Sequence, residues 1–164
     1  MRIGLLNLMP NKIRTETQFA RLLGATPLQV ELTLVKMTGH VARNTPSDHI
    51  ISFYRDFEDI RAEKFDGFIV TGAPVETIPF EDVTYWSGLL GILDWAKSRI
   101  TSSLYICWAA QAALYRFHTV PKRGLPAKIS GVFRQRVANA DSPLLRGFGA
   151  EFPVPVSRNT EVRA

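Results

Sequence analysis

Short apolar runs alternate along this chain with longer segments in which apolar residues recur at helical spacing. A short apolar run bounded by turn residues predicts a buried strand, and apolar residues three or four positions apart predict a helix. The predicted strands are 3–8, 28–37, 65–70, 104–106 and 129–137. The predicted helices are 15–24, 48–58, 82–97 and 108–115. This alternation predicts an α/β fold, a doubly wound and mostly parallel sheet with helices on both faces.

Turn and capping residues predict where these elements begin and end. Thr15 and Gln18 match a capping box, so we expect the first helix to begin at Thr15 and to end at Gly24. Residues 39–46 predict a loop, and the proline-rich sequence from Asp141 onward predicts irregular structure. The chain has no internal repeat, and its length of 164 residues predicts one domain over residues 1–164.

Three of the predicted strands end in loops that carry reactive or charged side chains. In a parallel α/β sheet the ligand site lies beyond the carboxyl ends of the strands, so we expect these loops to share one rim. Lys12, Glu76 and Cys107 would then come from distant parts of the sequence to one crevice. Gly72 permits a close approach of the backbone there, and the neighbouring N–H groups can stabilise an oxyanion.

Cys107 is the only cysteine, and it lies between the strand-like residues 103–106 and an alanine-rich helical segment that begins at Trp108. A turn from strand to helix lifts a side chain out of the sheet edge, as the nucleophile elbow of hydrolases does for serine. The helix N-terminus beside the sulfur favours the thiolate, which is the nucleophilic form. Many free cysteines are instead small buried apolar residues, and the local features support both interpretations equally.

Composition narrows the class of protein. With 46% hydrophobic and 21% charged residues, the chain has the composition of a globular protein. A single cysteine excludes an intrachain disulfide and a multi-cysteine zinc site, so we expect no metal and a reducing compartment. The N-terminal sequence lacks the pattern of a signal peptide, and no apolar stretch is long enough to span a bilayer. We therefore expect a cytoplasmic protein that does not bind a membrane.

The formal net charge of +5 raises the question of an anionic partner such as nucleic acid. The basic residues are scattered, and no nucleic-acid-binding motif accompanies them. Their densest group consists of Lys122, Arg123, Lys128, Arg134 and Arg136. We expect this group to be a solvated face or a site for a phosphate-bearing cofactor, and we expect no nucleic-acid partner.

Eight segments, in order along nearly the whole chain, closely resemble the homoserine O-acyltransferases of the homoserine transsuccinylase type. That family is similar in fold to the class I glutamine amidotransferases, with a flavodoxin-like sheet. The segments are Leu-Asn-Leu-Met-Pro-Asn-Lys at 6–12, Thr-Glu-Thr-Gln-Phe at 15–19, Arg-Asn-Thr-Pro at 43–46, Phe-Tyr at 53–54, Phe-Glu-Asp-Ile at 57–60, Phe-Asp-Gly-Phe-Ile-Val-Thr-Gly-Ala-Pro at 65–74, Tyr-Trp at 85–86 and Cys-Trp-Ala-Ala-Gln-Ala-Ala-Leu at 107–114.

The resemblance implies acyl transfer from acetyl-CoA or succinyl-CoA to the hydroxyl of L-homoserine, the first step of methionine biosynthesis, without a bound cofactor. Cys107 matches the cysteine that carries the acyl group as a thioester. Lys12 and the backbone of Trp108 match groups that stabilise the oxyanion, and Lys128 and Ser157 match substrate-binding positions. The alternatives are solvated surface lysines at 12 and 128, and a loop hydroxyl at 157.

Glu76 matches the position that selects the acyl donor in the resembled family. Glycine there accompanies succinyl transfer, and a carboxylate side chain accompanies acetyl transfer. A glutamate fills space and repels the free carboxylate of a succinyl group, so the resemblance favours acetyl-CoA. The alternative is a loop glutamate exposed to water.

The chain departs from the resembled family in one important respect. Family members are longer, and their catalytic histidine and glutamate lie in a downstream His-Pro-Glu motif that this chain does not contain. His40, His49 and His118 lie in no comparable context, and Val156 stands where the family has the histidine of Pro-His-Ser-Arg. We therefore expect a fold truncated at its C-terminal side relative to the family, with an exposed sheet edge.

Several interpretations of this departure stay open. The chain is a fragment of a longer enzyme, a protein completed by another chain or by a homo-oligomer, or a degenerate paralogue. As a paralogue it would be a catalytically impaired module that binds CoA or an amino acid. A different chemistry on the same scaffold, such as glutamine hydrolysis or a redox-sensing thiol, is a further alternative, against which the loops around Lys12 and Glu76 argue.

Overall fold

The computed structural model describes residues 1–38 and 45–163, which form two compact units. The first, Met1–Pro121, is called the sheet unit here, and the second, Lys122–Arg163, is called the ribbon unit. In the described parts of the chain, no helix combines the length and the apolar character needed to cross a membrane. His40 and most of the loop expected at 39–46 lie outside the described residues.

Five parallel strands form the sheet of the first unit in the order β3-β2-β1-β4-β5. The order in which strands join the sheet reverses at β1. After β1 the chain adds β2 and then β3 on one side, and it then returns to add β4 and β5 on the other side. Such a reversal is the point at which doubly wound sheets open a crevice at their carboxyl ends. The strands are β1 Arg2–Leu6, β2 Glu31–Lys36, β3 Tyr54–Asp56, β4 Gly67–Val70 and β5 Ser102–Tyr105.

Helices cover both faces of this sheet. On one face, α1 packs Phe19 and Leu23 against Ile3, Leu5 and Ile69. On the other face, α4 and α5 bury their apolar sides over Leu6, Phe68 and Val70. The helices are α1 Lys12–Gly24, α2 Ser47–Phe53, α3 Phe57–Ile60, α4 Trp86–Arg99 and α5 Trp108–His118.

This two-sided burial follows from the continuous apolar runs in the strands. Neighbouring strand residues point to opposite faces, so Leu5 and Leu6 enter different apolar clusters, and both are fully buried. The prediction of a doubly wound, mostly parallel α/β sheet is confirmed. Most predicted strand and helix boundaries lie a few residues from the observed ones, but the strand predicted at 129–137 begins earlier, at Lys122. Three further predictions need correction.

The first helix begins earlier than the capping pattern predicts. Asn11 caps α1, because its side-chain oxygen accepts a hydrogen bond from the Arg14 N–H at 3.1 Å. Thr15 lies inside the helix and donates its hydroxyl to the Asn11 carbonyl at 3.0 Å. The prediction that Thr15 caps the helix is therefore wrong. Asparagine caps helices at least as well as threonine, and Asn11 is reached first after Pro10.

The prediction of one continuous helix at 48–58 is wrong. Its middle residues, Tyr54–Asp56, form β3 and pair in parallel with residues 34–36 of β2. Short helices α2 and α3 flank this strand. Pairing with the otherwise open edge of β2 overrides the local helical pattern, and it buries the Tyr54 side chain.

The expectation of irregular structure after Asp141 is confirmed for residues 141–150, which contain turns and a short 3-10 helix, and it is wrong for Glu151–Val162, which form a strand of the ribbon unit. This unit is an antiparallel pair of β6 Lys122–Arg136 and β7 Glu151–Val162. Half-buried Phe152, Val154 and Val156 alternate along β7 with exposed prolines, which is a strand pattern. Pro153 and Pro155 are two residues apart, so both occupy the same kind of ladder position. In a two-stranded ribbon, alternate positions need no N–H donor, and proline is tolerated there.

Candidate functional site

Cys107 occupies the turn between β5 and α5 in an unusual backbone conformation. Its φ is 56° and its ψ is −121°. Apart from glycines, only Cys107 and Thr119 have positive φ among the described residues. A non-glycine residue held in this region is strained, and such strain clusters at functional sites. The side chain is exposed to solvent, so the interpretation of Cys107 as a small buried apolar residue is wrong.

The N-terminus of α5 begins directly at this cysteine. The Ala109 N–H donates to the Ile106 carbonyl at 3.1 Å, and the Ala110 N–H donates to the Cys107 carbonyl at 3.0 Å. The Trp108 N–H precedes both of these donors, at the position where a helix leaves its N–H groups available. The Trp108 side chain is fully buried and packs against Phe80 and other aromatic rings, which anchors the turn in the core.

Gly72 brings the loop after β4 into contact with Cys107. A Cβ atom placed on Gly72 would lie 2.9 Å from the Cys107 Cβ and 3.3 Å from its Sγ. The residue before it, Thr71, fixes this loop to β1: its N–H donates to the Leu6 carbonyl at 3.1 Å, and its Oγ1 accepts from the Leu8 N–H at 2.8 Å. The carboxyl ends of β1, β4 and β5 are therefore joined by backbone contacts.

Lys12 follows β1 and is the first residue of α1. It is buried, with 5% of its surface exposed, so it is not a solvated surface lysine. Its ammonium donates a hydrogen bond to the Asn7 carbonyl and lies 5.6 Å from the centroid of the Tyr54 ring. Burial lowers the pKa of Lys12 to about 8, and the negative charge of Glu16 acts in the opposite direction.

Lys12, Glu76 and Cys107 all follow carboxyl ends of neighbouring strands. β4 separates β1 from β5, so the strand ends before Lys12 and Cys107 lie roughly 10 Å apart at the normal strand spacing. Glu76 is half-buried in a tight turn, in which the Ile78 N–H donates to the Val75 carbonyl at 3.1 Å. The three loops thus lie along one rim of the sheet, and Glu76 is not a fully solvated loop residue.

Lys128 and Ser157 belong to the ribbon unit, and both are exposed. Ser157 is directly opposite Ser130 in the regular part of the β6–β7 register. Lys128 lies just before that part, in the stretch between Gly124 and Ile129 where the register shifts. A bulge of this kind interrupts the regular alternation of side chains along the strand.

Three polar residues near Lys12, and a fourth behind Glu16, are not among the predicted site residues: Asn7, Glu16, Tyr54 and His49. The Asn7 side-chain amide donates to the Tyr54 hydroxyl at 2.8 Å, and that hydroxyl donates to Glu16 Oε2 at 2.7 Å. Glu16 Oε1 lies 2.6 Å from His49 Nε2, which makes no hydrogen bond. One signal was available in the sequence, because Lys12 and Glu16 are four residues apart on a helix and share a face.

The described histidines occupy two different settings. His49 lies against Glu16, and His118 ends α5, whose 11 residues place it about 16 Å along the axis from Cys107. Within residues 1–38 and 45–163, no group of three or more His, Cys, Asp or Glu side chains is arranged to hold a metal ion.

Comparison with known proteins identifies the family of this chain. The homoserine O-succinyltransferase family model matches residues 1–164. Proteins named homoserine O-acetyltransferase from Brucella canis, Brucella abortus and Brucella melitensis are each 64% identical over 163 residues. The match covers 99% of this chain and 53% of each relative, so the chain spans about half the length of the curated relatives it matches. The chain belongs to the homoserine O-succinyltransferase family.

Proposed function

We propose that this protein transfers an acyl group from acyl-CoA to the hydroxyl of L-homoserine through a thioester on Cys107. One observation carries the proposal: the exposed Cys107 side chain sits on a positive-φ turn at a helix N-terminus, against the backbone of Gly72. The names of the family and of the relatives support homoserine as the acceptor.

In the first half of the proposed reaction, the Cys107 thiolate attacks the thioester carbonyl of acyl-CoA. A carbon–sulfur bond forms, and an electron pair moves onto the carbonyl oxygen. The Trp108 N–H and the Lys12 ammonium stabilise this oxyanion, and one such donor contributes roughly 10²–10³-fold to the rate. When the oxyanion collapses, the bond to CoA breaks, and CoA leaves as a thiolate that takes up a proton.

In the second half, the homoserine hydroxyl attacks the Cys107 thioester. Its proton passes to a base, the ester bond forms, and Cys107 returns as a thiolate. Lys128 and Ser157 of the ribbon unit bind substrate groups in this proposal. The product, an O-acylated homoserine, belongs to the first step of methionine biosynthesis in the reducing environment of the cytoplasm.

Glu76 supports acetyl-CoA as the donor. A half-buried glutamate in the loop that follows Gly72 opposes a second carboxylate by charge and occupies space by its size. A succinyl group carries such a carboxylate, and an acetyl group does not. The names of the Brucella relatives agree with an acetyl donor.

Intact-protein mass spectrometry after incubation with acetyl-CoA tests the proposal. We expect an acetyl adduct on Cys107, its loss in Cys107→Ser with an unchanged circular dichroism spectrum, and its discharge by L-homoserine. A Cys107→Ser protein that is acetylated at the normal rate would refute the role of Cys107. Tight CoA binding without an adduct would favour a non-catalytic CoA-binding module, and oxidation alone would favour a thiol sensor.

A further inference from the structure

We propose that Glu16, held between Tyr54 and His49, is the buried counter-charge that positions the Lys12 ammonium at the carboxyl rim of the sheet. The inference rests on the proposed function, because it assigns a purpose to the Lys12 charge during acylation of Cys107. In this proposal Glu16 and Tyr54 are positioning residues, which act on the reaction only through Lys12.

A continuous path of polar contacts leads from Glu16 to Lys12. Tyr54 Oη donates to Glu16 Oε2 at 2.7 Å and accepts from Asn7 Nδ2 at 2.8 Å. The backbone carbonyl of the same Asn7 accepts a hydrogen bond from the Lys12 ammonium. The Asn7 side-chain amide also donates a hydrogen bond to the Lys12 carbonyl at 3.2 Å. Asn7 thereby fixes Lys12 at both its backbone and its charged end.

Both charged side chains, Lys12 and Glu16, are largely buried. Lys12 is 5% exposed, and the Glu16 side chain is 12% exposed. An ammonium removed from water needs a compensating charge or hydrogen bonds, because its desolvation is costly. Lys12 and Glu16 share one face of α1 four residues apart, so the helix itself holds the two charges near each other.

Glu16 has a neighbour at each carboxylate oxygen. Tyr54 donates a hydrogen bond to Oε2, and His49 Nε2 lies 2.6 Å from Oε1 without a hydrogen bond to it. The His49 ring also packs on Phe53, with ring centroids 4.8 Å apart, and near Tyr54 at 6.2 Å. The Tyr54 hydrogen bond therefore orients the carboxylate, and the His49 ring packs against its other oxygen. The titratable groups packed around the ammonium are thus Glu16 of α1, Tyr54 of β3 and, through Glu16, His49 of α2.

The location of this polar network indicates a role other than stability. A buried ion pair is weak evidence for a gain in stability, because a well-packed apolar pair is often as good. The network joins β1, α1, α2 and β3 at the carboxyl end of the sheet, on the rim to which Cys107 also belongs. Placement at the rim gives the charge a role beyond packing.

Titration of Lys12 by nuclear magnetic resonance tests the proposal without relying on activity. Protein with ¹³C-labelled lysines is titrated, and Lys12→Arg identifies the Lys12 signal. Wild-type Lys12 should titrate near pH 8. In Glu16→Gln its pKa should fall by about one unit, because a nearby opposite charge is removed. Glu16→Asp should restore part of this shift, and Tyr54→Phe should produce a smaller shift in the same direction.

Acylation of Cys107, measured on the same variants at pH 7.5, completes the test. Glu16→Gln should slow acylation roughly 3-fold, since a fall of about one unit in the Lys12 pKa lowers the charged fraction of Lys12 at this pH by that factor, and the charge is needed in the transition state. Two exposed pairs supply matched controls: Glu58→Gln beside Arg61, and Tyr115→Phe beside Glu81, should change neither quantity. Thermal unfolding of each variant identifies any that do not fold. If Glu16→Gln does not fold, Tyr54→Phe, which removes only one hydroxyl, replaces it in both measurements.

An unchanged Lys12 pKa in folded Glu16→Gln and Tyr54→Phe would overturn the proposal. A slower acylation of Cys107 with an unchanged Lys12 pKa would also overturn it, because it indicates a structural role only. A shifted Lys12 pKa with an unchanged acylation rate would overturn it as well. If wild-type protein forms no acyl adduct, the proposed function fails, and the titration alone then decides whether Glu16 is the counter-charge of Lys12.

Discussion

The backbone of Gly72 lies so close to Cys107 that no side chain fits between them. A Cβ atom on residue 72 would lie 2.9 Å from the Cys107 Cβ, 3.3 Å from its Sγ and 3.5 Å from the Ile106 carbonyl oxygen. The loop after β4 and the turn after β5 therefore meet through a glycine, and the position of the thiol depends on it.

Gly72→Ala should displace the Cys107 side chain and slow its acylation by acetyl-CoA. A misplacement of about 1 Å can lower a rate roughly 10²-fold, so a large loss is expected. The rate of adduct formation is measured by mass spectrometry. Gly91→Ala is the matched control, because a Cβ on Gly91 in α4 meets nothing within 4 Å. Equal acylation rates for the two variants would show that the contact at residue 72 does not position the thiol.

Glu76→Gly should shift the donor preference from acetyl-CoA towards succinyl-CoA, because it removes both the bulk and the charge that the proposed function assigns to donor selection. A change of about 1.4 kcal/mol in relative transition-state binding gives roughly a 10-fold shift in the ratio of kcat/KM values. Glu76→Gln keeps the bulk and removes the charge, so it separates the two causes. The same donor ratio in wild type and both variants would remove Glu76 from donor selection.

Lys12 should make the stability of the protein rise with pH in the alkaline range. Burial lowers the pKa of Lys12 from 10.5 to about 8. Between these values the unfolded lysine binds a proton that the folded one does not, so the free energy of unfolding increases with pH. The full increase across this window is about 3 kcal/mol, at 1.36 kcal/mol per pKa unit.

Urea unfolding of wild type and Lys12→Met between pH 7 and pH 10.5 measures this effect as a difference, in which contributions of other groups cancel. Lys64→Met, at an exposed lysine, is the control and should follow the wild type. Should the difference between wild type and Lys12→Met be constant with pH, Lys12 would not be a desolvated ammonium in the folded state.

Loss of the Lys12 proton should also limit the rate of Cys107 acylation at high pH. If the charged Lys12 stabilises the oxyanion, the rate of Cys107 acylation should fall above pH 8, where Lys12 loses its proton. Arginine keeps its charge at every working pH, so Lys12→Arg should remove this alkaline fall, at some loss of maximal rate from its different shape. A wild-type rate that still rises through pH 10 would contradict the role of the ammonium.

Acyl-Cys107 should accumulate when acetyl-CoA and L-homoserine are supplied together. Attack by the homoserine hydroxyl needs a base, which contributes roughly 10²–10⁴-fold. His49 is held against Glu16, and His118 lies at the far end of α5 from Cys107. Rapid-quench mass spectrometry should show a burst of adduct before slow turnover. Fast steady turnover of the monomeric chain without a burst would contradict the expected accumulation of acyl-Cys107. The base would then be sought by alanine replacement of His40, His49 and His118.

Much of the fold and of the cysteine turn was predictable because the relevant signals are local. A buried parallel strand is a short apolar run, and an alanine-rich segment after it predicts a helix. These two patterns meet at Cys107 and place it on the turn without any knowledge of distant contacts. The rule that strand ends share a rim then predicts Lys12, Glu76 and Cys107 along one edge.

The observed structure differs from the predicted one where a segment pairs with a strand that is distant in sequence. Tyr54 becomes part of β3 only because β2 offers an open edge, and Pro153 and Pro155 are accommodated in β7 only because β6 pairs with alternate positions. Local propensity is worth less than these pairings, which decide the outcome.

The sequence by itself determined the sheet class, the family resemblance and the chemical identity of the reactive groups. Tertiary structure decided how those groups are tuned. Nothing near Lys12 in sequence shows that it is buried or that Tyr54, 42 residues later, links Asn7 to its counter-charge on Glu16. Burial and charge pairing are properties of positions in space, and the chain has them only after the strands and helices have packed together.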